Sequence, residues 1–221
     1  MREELRIERK NRLLKAAAEV FCEKGYAGTT IADVATHAGI GKGTIYGYFS
    51  SKEDLFFDLF CWYAQGIMAD TSFETSGDAG SIKDRFLAYT HDIIQEMLAS
   101  VHMYPLTLEF WSAAASGNMR NRLKDAMEKM YDEYRQLIGG ILQQGIAQEE
   151  FHPDTDTAAI ASGIIATLDA MGLQYWINPD FDIQTAAMQT VSAILTGISV
   201  PPEQKWSSRI KAKTLTQRMI G

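Results

Sequence analysis

The sequence contains little of what disulfide-bonded or metal-binding proteins need. Its 221 residues include only two cysteines, Cys22 and Cys61, and their positions form no disulfide or zinc-binding pattern. The four histidines are scattered and include no pair four residues apart that would bind a metal from one helix face. We therefore expect two reduced thiols, no metal site and no cofactor.

Long hydrophobic runs are also missing. The longest small or apolar stretch, roughly residues 158–168, is too short to span a bilayer. The N-terminal sequence MREELRIERKNR is highly charged and lacks the apolar segment of a signal peptide. These observations predict a cytoplasmic protein with no membrane partner.

The motifs of common enzyme classes are absent as well. The sequence contains no nucleophile elbow, Walker loop, dinucleotide fingerprint or zinc spacing. We predict no catalytic residue and no enzymatic activity. Since serine, histidine and aspartate are all present, a helical enzyme stays open as an alternative.

The chain has no overall excess of basic residues, because its net charge is −7. Residues 1–55 hold nine bases and eight acids, residues 56–204 hold seven bases and twenty acids, and residues 205–221 hold five bases and no acid. Most of the negative charge therefore lies outside the first 55 residues. This distribution argues against a structural DNA-associated protein that coats DNA regardless of sequence, because such coating needs a strongly basic face.

What the sequence does contain is a helix-turn-helix pattern near its N-terminus, TTIADVATHAGIGKGTIYGYFSSKEDL at residues 29–55. Apolar residues at helical spacing predict a first helix over residues 9–24, and Gly25 follows where a positive φ is needed. Thr30 and Asp33 are typical of a helix start and predict a second helix. Ala38-Gly39-Ile40 forms the predicted turn, in which glycine permits positive φ.

The third helix is predicted from about Lys42 to Tyr48, with Ile45 and Phe49 facing inward. The residues left to point outward are Lys42, Gly43, Thr44, Tyr46 and Tyr48. These side chains suit a nucleic-acid surface, because lysine and hydroxyl groups bind phosphates and base edges. The alternative is a small helical core whose glycines and tyrosines serve turns and packing.

A fourth helix is predicted to begin after Ser50 or Ser51, with Glu53 and Asp54 in its first turn. Lys52 then lies beside the helix N-terminus. Backbone N–H groups and an ammonium group at this point can hold a phosphate together.

The first 57 residues resemble the DNA-binding domain of TetR-type transcriptional regulators. The similarity covers roughly residues 9–57. It is densest in the sequence AAAEVFCEKGYAGTTIADVATHAGIGKGTIYGYFSSKEDLF, which begins within the first predicted helix. The resemblance implies a homodimer that reads a palindromic double-stranded DNA operator with its third helices. It further implies phosphate contacts from one group of residues, Thr29 or Thr30, Tyr48 and Lys52. The groove-facing set would be Lys42, Gly43, Thr44 and Tyr46.

Two positions depart from the family pattern. Gly41 stands where the family usually has a serine or threonine at the start of the third helix, and glycine there costs a few tenths of a kcal/mol. Gly47 stands where a larger residue is usual, and glycine inside a helix costs about 1 kcal/mol relative to alanine. We expect a third helix that becomes more rigid on binding DNA.

The fold predicted for the whole chain is all-α, since no alternating strand pattern occurs after Leu55. The domains are a helix-turn-helix DNA-binding domain at residues 1–55, a larger helical effector-binding and dimerisation domain at 56–204, and a basic tail at 205–221. Helices of the second domain are predicted at about 82–100, 104–115, 118–145, 155–177 and 183–198, with a loop at 71–81. The tail is compatible with a disordered end, a helix packed on the acidic domain, or an extra DNA contact.

The last two predicted helices, about 155–177 and 183–198, are rich in alanine and glycine, which allow close helix packing. In the similar family this helix pair forms a four-helix bundle with its symmetry mate, so we predict the homodimer interface here. Packing within one chain is the alternative.

The second domain is also rich in methionine and aromatic residues, which suit a pocket for an apolar or aromatic effector. Candidate pocket residues are Phe86, Tyr89, Met103, Phe110, Trp111, Met130, Tyr134, Met171 and Tyr175. Candidate polar anchors are His91, Asp92, His102 and Glu109. An ordinary core accounts for the same apolar residues, and a regulator without an effector stays open as an alternative.

We therefore expect a repressor that an unidentified small molecule releases from DNA. Effector binding would shift the population of the dimer towards a state with altered spacing of its two reading helices.

Overall fold

The computed structural model describes residues 2–69, 73 and 80–201, and these residues fold into helices. The helices are α1 (Arg2–Gly28), α2 (Ile31–His37), α3 (Lys42–Ile45), α4 (Lys52–Ala69), α5 (Ile82–Ala99), α6 (Tyr104–Ala115), α7 (Arg120–Ala147), α8 (Thr157–Ile177) and α9 (Ile183–Ile198), with a 3₁₀ turn at Val101–Met103. Within the described residues the extended pairing is limited to an isolated bridge between Phe151 and Ser199. The all-α prediction is confirmed.

The predicted helix bounds agree with the structure to within about two residues for α5 to α9. The first helix is longer than predicted, because α1 begins at Arg2 and continues to Gly28. Gly25 interrupts this helix with φ 68° and ψ 169°, which confirms the positive φ predicted there. The chain then forms one more turn before α2 begins. The basic tail at residues 205–221 and most of the predicted loop at 71–81 lie outside the described residues.

One compact unit consists of the described residues within Met1–Ser72 and Gln95–Asp132. Its core contains a row of aromatic rings from three helices: Phe21 of α1 lies 5.0 Å from Phe56 of α4, which lies 4.8 Å from Phe110 of α6, measured between ring centroids. Leu59 and Leu106 are fully buried in the same core. The N-terminal helices therefore share a core with later helices, and the unit extends past the domain boundary predicted at Leu55.

The second unit consists of the described residues within Phe73–Ile94 and Glu133–Gly221. The Glu150 carboxylate accepts hydrogen bonds from the N–H groups of Ile82 and Lys83, at 3.0 and 3.3 Å, and so caps the start of α5. The buried Phe151 ring packs so closely on Gly145 that a Cβ at this position would overlap it. These contacts fix the connection between α7 and α8.

Helices α8 and α9 pack on each other within the second unit. In the part of the chain that the structure describes, α8 is the one helix long and apolar enough to cross a membrane by length and composition, a weak criterion that core helices of soluble proteins also meet. Only 22% of its apolar window is buried within the chain. Much of the apolar surface of α8 is therefore left uncovered by the protomer itself.

Candidate nucleic-acid interface

Helix α2 begins at a complete capping box. The Thr30 hydroxyl accepts a hydrogen bond from the Asp33 N–H at 3.2 Å, and the Asp33 carboxylate accepts one from the Thr30 N–H at 2.8 Å. Lys24 also donates to the Asp33 carboxylate at 2.8 Å. This lysine, together with the Thr30 donors, holds the pKa of Asp33 far below its usual range. The predicted start of α2 at Thr30 is confirmed.

The turn after α2 closes as predicted at Gly39, whose φ is 67°. The N–H of Ile40 donates to the carbonyl of Ala35 at 2.9 Å, and the N–H of Gly39 donates to the carbonyl of Thr36 at 3.1 Å. These bonds satisfy carbonyl groups at the helix end that would otherwise lack partners. These backbone bonds and the packing of Ala38 and Ile40 against the core fix the direction in which the chain enters α3.

Helix α3 is shorter than predicted: it ends at Ile45 and not at Tyr48. Residues 46–48 form a turn, in which the N–H of Gly47 donates to the carbonyl of Thr44 at 3.1 Å. Glycine is a poor helix former, and a Cβ at Gly47 would lie 3.2 Å from that carbonyl oxygen. The predicted extension of the helix through Tyr48 is therefore wrong. Tyr46 projects from the turn, whereas Tyr48 is half-buried and packs against the core.

The exposed face of α3 and its following turn carries the predicted groove-facing residues. Lys42, Gly43, Thr44 and Tyr46 are all exposed, and 48% of the Tyr46 surface is accessible. Two buried side chains, Ile45 and Phe49, anchor the segment from the other side. The predicted division into inward and outward residues is confirmed for these positions, whereas Tyr48, also predicted to point outward, is half-buried against the core. The DNA-contacting roles of the outward residues stay predictions.

Thr29 does not lie where a phosphate contact requires. Its side chain is buried, and its hydroxyl donates to the carbonyl of Gly25 at 2.8 Å. The predicted phosphate contact from the Thr29 side chain is therefore wrong, because this hydroxyl closes the kink in α1. The adjacent Thr30 is exposed and remains the candidate of the pair.

Lys52 has protein partners that the sequence did not reveal. Its ammonium group donates to the carbonyls of Tyr26 and Thr29, at 2.9 and 3.1 Å, and lies 4.3 Å from the centroid of the Tyr26 ring. Burial raises the pKa of the Tyr26 hydroxyl to about 12. An ammonium group has three donors, so one donor remains for the predicted phosphate contact.

Glu109 was predicted as a candidate polar anchor of the effector pocket. In the structure its carboxylate accepts a hydrogen bond from the Tyr26 N–H, in the segment between α1 and α2, at 3.2 Å. The same oxygen lies 2.8 Å from the position that a Cβ on Gly25 would occupy. The Tyr26 backbone is thus held by α6 at its N–H and by α4 at its carbonyl. The sequence contains no local signal for this contact.

The predicted pocket residues of the first unit do not share one environment. Phe110 is fully buried among aromatic rings, which matches the alternative of an ordinary core. Trp111 is 54% exposed and lines a surface cleft together with Ala114 and Met127, and its contact with an effector stays a prediction. Leu106, Phe110 and Ala114 form the buried stripe of α6, and residue 111 lies off that stripe. Met103 and Met130 are half-buried.

The remaining predicted pocket residues belong to the second unit. Phe86 and Tyr89 of α5 are buried, and Tyr89 packs edge-on against Phe73 at 6.0 Å between ring centroids. Tyr134, Met171 and Tyr175 are half-buried. Since the predicted set is divided between the two units, its assembly into one effector site stays a prediction.

Titratable side chains do not form a metal centre in the described part of the chain, where no group of three or more His, Cys, Asp or Glu could hold an ion. The two cysteines are free thiols, as predicted. Burial raises the pKa of both Cys22 and Cys61, which keeps them protonated near neutral pH.

Comparison with known proteins gives two family matches. The profile described as "Bacterial regulatory proteins, tetR family" matches residues 13–59. The profile described as "Tetracyclin repressor-like, C-terminal domain" matches residues 110–191. The first match begins within α1, covers α2 and α3, and ends within α4.

Relatives extend the similarity over most of the chain. The HTH-type transcriptional regulator YfiR of Bacillus subtilis (strain 168) is 31% identical over 157 residues, which are 70% of this chain and 73% of the relative. The fatty acid metabolism regulator protein of the same organism is 24% identical over 84% of this chain and 93% of its own length. A TetR transcriptional regulator from Chloroflexus aurantiacus J-10-FL superposes with a TM-score of 0.71 and 26% identity, covering 90% of this chain and 98% of that structure.

Proposed function

The chain belongs to the TetR family and is a DNA-binding transcriptional repressor, and we propose that it acts as a homodimer that a small apolar effector releases from its operator. The observation that carries the proposal is the face of α3, where polar side chains are exposed and Ile45 and Phe49 are buried as anchors. A polar face held by a buried core is the arrangement with which helix-turn-helix proteins enter the major groove.

The candidate DNA-contacting residues divide into two proposed roles. Lys42, Gly43, Thr44 and Tyr46 face the major groove and discriminate between bases. Three further groups position the protein on phosphates, namely the Thr30 and Tyr48 hydroxyls and the remaining donor of Lys52. Because Lys52 also holds the carbonyls of Tyr26 and Thr29, Lys52→Ala would remove both a phosphate contact and a structural contact.

Two variants separate these roles without disturbing the fold, because Tyr48→Phe removes only a hydroxyl group and Tyr46 is an exposed side chain. The wild type first selects an operator from a pool of random 30-bp duplexes, and binding of that duplex and of a scrambled duplex is then measured. We expect Tyr48→Phe to weaken binding of both duplexes by the same factor, since a phosphate contact carries no sequence information. Tyr46→Ala should reduce the ratio of the two affinities. Equal effects of both variants on this ratio would contradict the division.

The homodimer interface is proposed on α8 and α9. Small or apolar residues form one exposed stripe along α8, at helical spacing: Ala159, Gly163, Ala166, Ala170, Leu173 and Ile177. Ile177 is 67% exposed, and Ala193 and Gly197 of α9 are exposed as well. Burying such a stripe against a second copy is favourable and lets the helices approach closely. A partner copy thus accounts for the apolar surface of α8 in a protein that acts in the cytoplasm.

Gly163→Arg tests this interface. No atom lies within 4 Å of a Cβ built at Gly163, so the substitution leaves the protomer intact but places a charge in the stripe. Gly140→Arg on α7 is the matched control, because a Cβ there also meets open space. We expect sedimentation analysis to give a monomer for Gly163→Arg and a dimer for Gly140→Arg. A dimeric Gly163→Arg protein would contradict the interface.

The effector signal is proposed to reach the reading helix through α6. Glu109 of α6 is bonded to the Tyr26 N–H, and the Tyr26 segment leads directly into Thr30 and α2. A shift of α6 therefore changes the position of α2. The name of the Bacillus subtilis relative, a fatty acid metabolism regulator, supports an apolar effector of the fatty-acid type.

The coupling is tested by measuring operator affinity with and without sodium oleate. A coupling of 1–3 kcal/mol corresponds to a loss of about 5- to 150-fold in the wild type. Glu109→Ala should respond less, whereas Glu109→Gln should keep the response, because its amide oxygen still accepts the Tyr26 N–H. If neither oleate nor 1-naphthol changes the affinity of the wild type, the alternative of a regulator without an effector is favoured.

A further inference from the structure

A cleft of about 350 Å³ lies on the surface of the first unit, beside α3. Its residues come from three segments: Arg9, Arg12 and Leu13 of α1, Ala38 and Ile40 of the turn, and Thr44 and Tyr48 of α3 and its following turn. Leu13 is buried, whereas both arginines are exposed. The cleft thus has an apolar floor, two guanidinium groups on one wall, and the reading segment on the other.

The basic side chains around this cleft differ in whether an acidic side chain pairs with them. Lys10 pairs with Asp58 and Lys24 pairs with Asp33, each at 2.8 Å, and His37 contacts Glu19 at 2.7 Å. Among the residues that the structure describes, neither Arg9 nor Arg12 forms such an ion pair. Although residues 1–55 carry nearly equal numbers of bases and acids, these two arginines leave positive charge concentrated on the wall beside α3.

We propose that Arg9 and Arg12 contact phosphates of the DNA strand that borders the major groove entered by α3. The inference rests on the proposed DNA-binding role of α3 and extends the interface to α1, from which no contact is predicted by the sequence. A guanidinium group presents paired donors that match the oxygens of a phosphate, and it stays charged at any physiological pH. Thr44 and Tyr48 form the opposite wall, so a backbone segment in the cleft meets donors from both sides.

The proposal has a quantitative consequence for salt dependence. Each neutralised phosphate releases bound counterions and contributes about −0.9 to the slope of log affinity against log salt concentration. Removing a phosphate contact therefore makes this negative slope shallower by about 0.9, and it weakens specific and non-specific binding alike. A residue that only stabilised the fold would leave the slope unchanged.

The test measures fluorescence anisotropy of two duplexes between 50 and 200 mM KCl: the 30-bp duplex selected by the wild type, and a scrambled duplex of the same composition. The variants are Arg9→Ala, Arg12→Ala, the double variant, and the charge-preserving Arg9→Lys and Arg12→Lys. Lys15→Ala is the matched control, because Lys15 is an exposed cation of the same helix outside the cleft. Thermal melting establishes that every variant is folded.

We expect the double variant to lose about tenfold or more in affinity for both duplexes. Its negative salt slope should be shallower by about 0.9 for each lost contact. The lysine variants should keep most of the slope, and Lys15→Ala should resemble the wild type. The proposal is overturned if the double variant keeps the wild-type slope, or if Lys15→Ala loses as much as the double variant. It is also overturned if inorganic phosphate, at constant ionic strength, binds the wild type and not the variants while the DNA slope is unchanged.

The failure of this inference can be told apart from the failure of the proposed function. If the wild type enriches no duplex from the random pool, sequence-specific reading by α3 is contradicted. Any 30-bp duplex of the unselected pool still reports the salt slope of non-specific binding in that case, so the role of the two arginines is decided either way.

Discussion

The two helices on either side of the turn at Gly39 are held in place by different means. Helix α2 begins at a capping box between Thr30 and Asp33 and buries three side chains along seven residues. Helix α3 has four residues, begins at Gly41 with no side-chain cap, and buries only Ile45. The supporting helix is thus fixed by its own sequence, whereas the helix proposed to read DNA depends on neighbouring structure.

This difference places the least locally stabilised backbone at the proposed DNA contact. A short helix with one anchor and glycines at both ends can adjust to the groove at little energetic cost. The capped α2 and the buried Phe49 keep that adjustment from spreading into the rest of the unit. Three pairs of substitutions test whether stability and DNA binding are divided in this way.

The largest effect is expected from removing the buried side chain that lies within α3 itself. Ile45→Ala and Ile31→Ala each delete a buried isoleucine side chain, and each should lower the free energy of unfolding by about 2–5 kcal/mol. Because α3 buries no other side chain of its own and Phe49 anchors only the turn that follows it, Ile45→Ala alone of the two should also weaken operator binding under conditions in which both variants are folded. Urea unfolding and duplex anisotropy measure the two quantities.

Ile31→Ala serves as the control for stability in this pair. If both variants lose operator affinity to the same extent, then α3 is no more dependent on its anchor than α2 is. The contrast between the two helices would not hold in that case.

A smaller effect is expected from removing the cap of α2. Thr30→Ala deletes the hydroxyl that accepts the Asp33 N–H, and such a loss costs about 1 kcal/mol of unfolding free energy. Thr36→Ala, at an exposed position within the same helix, should cost nothing, because alanine is the better helix former. Thermal and urea unfolding compare the variants. Equal stabilities of Thr30→Ala and Thr36→Ala would show that the capping box contributes nothing.

The smallest effect is expected from giving α3 the cap that it lacks. Gly41→Ser should stabilise the unit by a few tenths of a kcal/mol, since serine is the better N-cap and a Cβ at Gly41 has room. Gly41→Ala fills the same space without a cap and should be slightly destabilising. Amide exchange of residues 42–45 is the sensitive measurement. Equal protection in the two variants would mean that capping does not limit α3.

The same contrast explains which features could be predicted from the sequence. The start of α2 was predictable because Thr30 and Asp33 lie within one turn of each other and bond to each other. The turn at Gly39 was predictable because its signals, Ala38, Gly39 and Ile40, are adjacent in the sequence. The bounds of α5 to α9 followed from helical periodicity and from prolines such as Pro105, which lies in the first turn of α6.

Features that depend on distant partners were not predictable. Lys52 and Tyr26 are 26 residues apart, and Glu109 and Tyr26 are 83 residues apart, so no local pattern indicates either contact. Thr29 and Thr30 look equivalent in the sequence, but the kink at Gly25 turns one hydroxyl inward. The orientation of α6 decides that Phe110 is buried and Trp111 exposed. Helix α3 ends earlier than its apolar spacing predicts, because Gly47 favours a turn over a further helical turn.

The shared core of the first unit has a consequence for how the protein is made. Its aromatic row needs Phe110 beside Phe21 and Phe56, so the core is incomplete until α6 has been synthesised. At about 5–20 residues per second, α6 leaves the ribosome several seconds after α3. During that interval the nascent chain carries the whole helix-turn-helix segment without its final support. A nascent chain that still lacks α6 is therefore poorly suited to bind DNA.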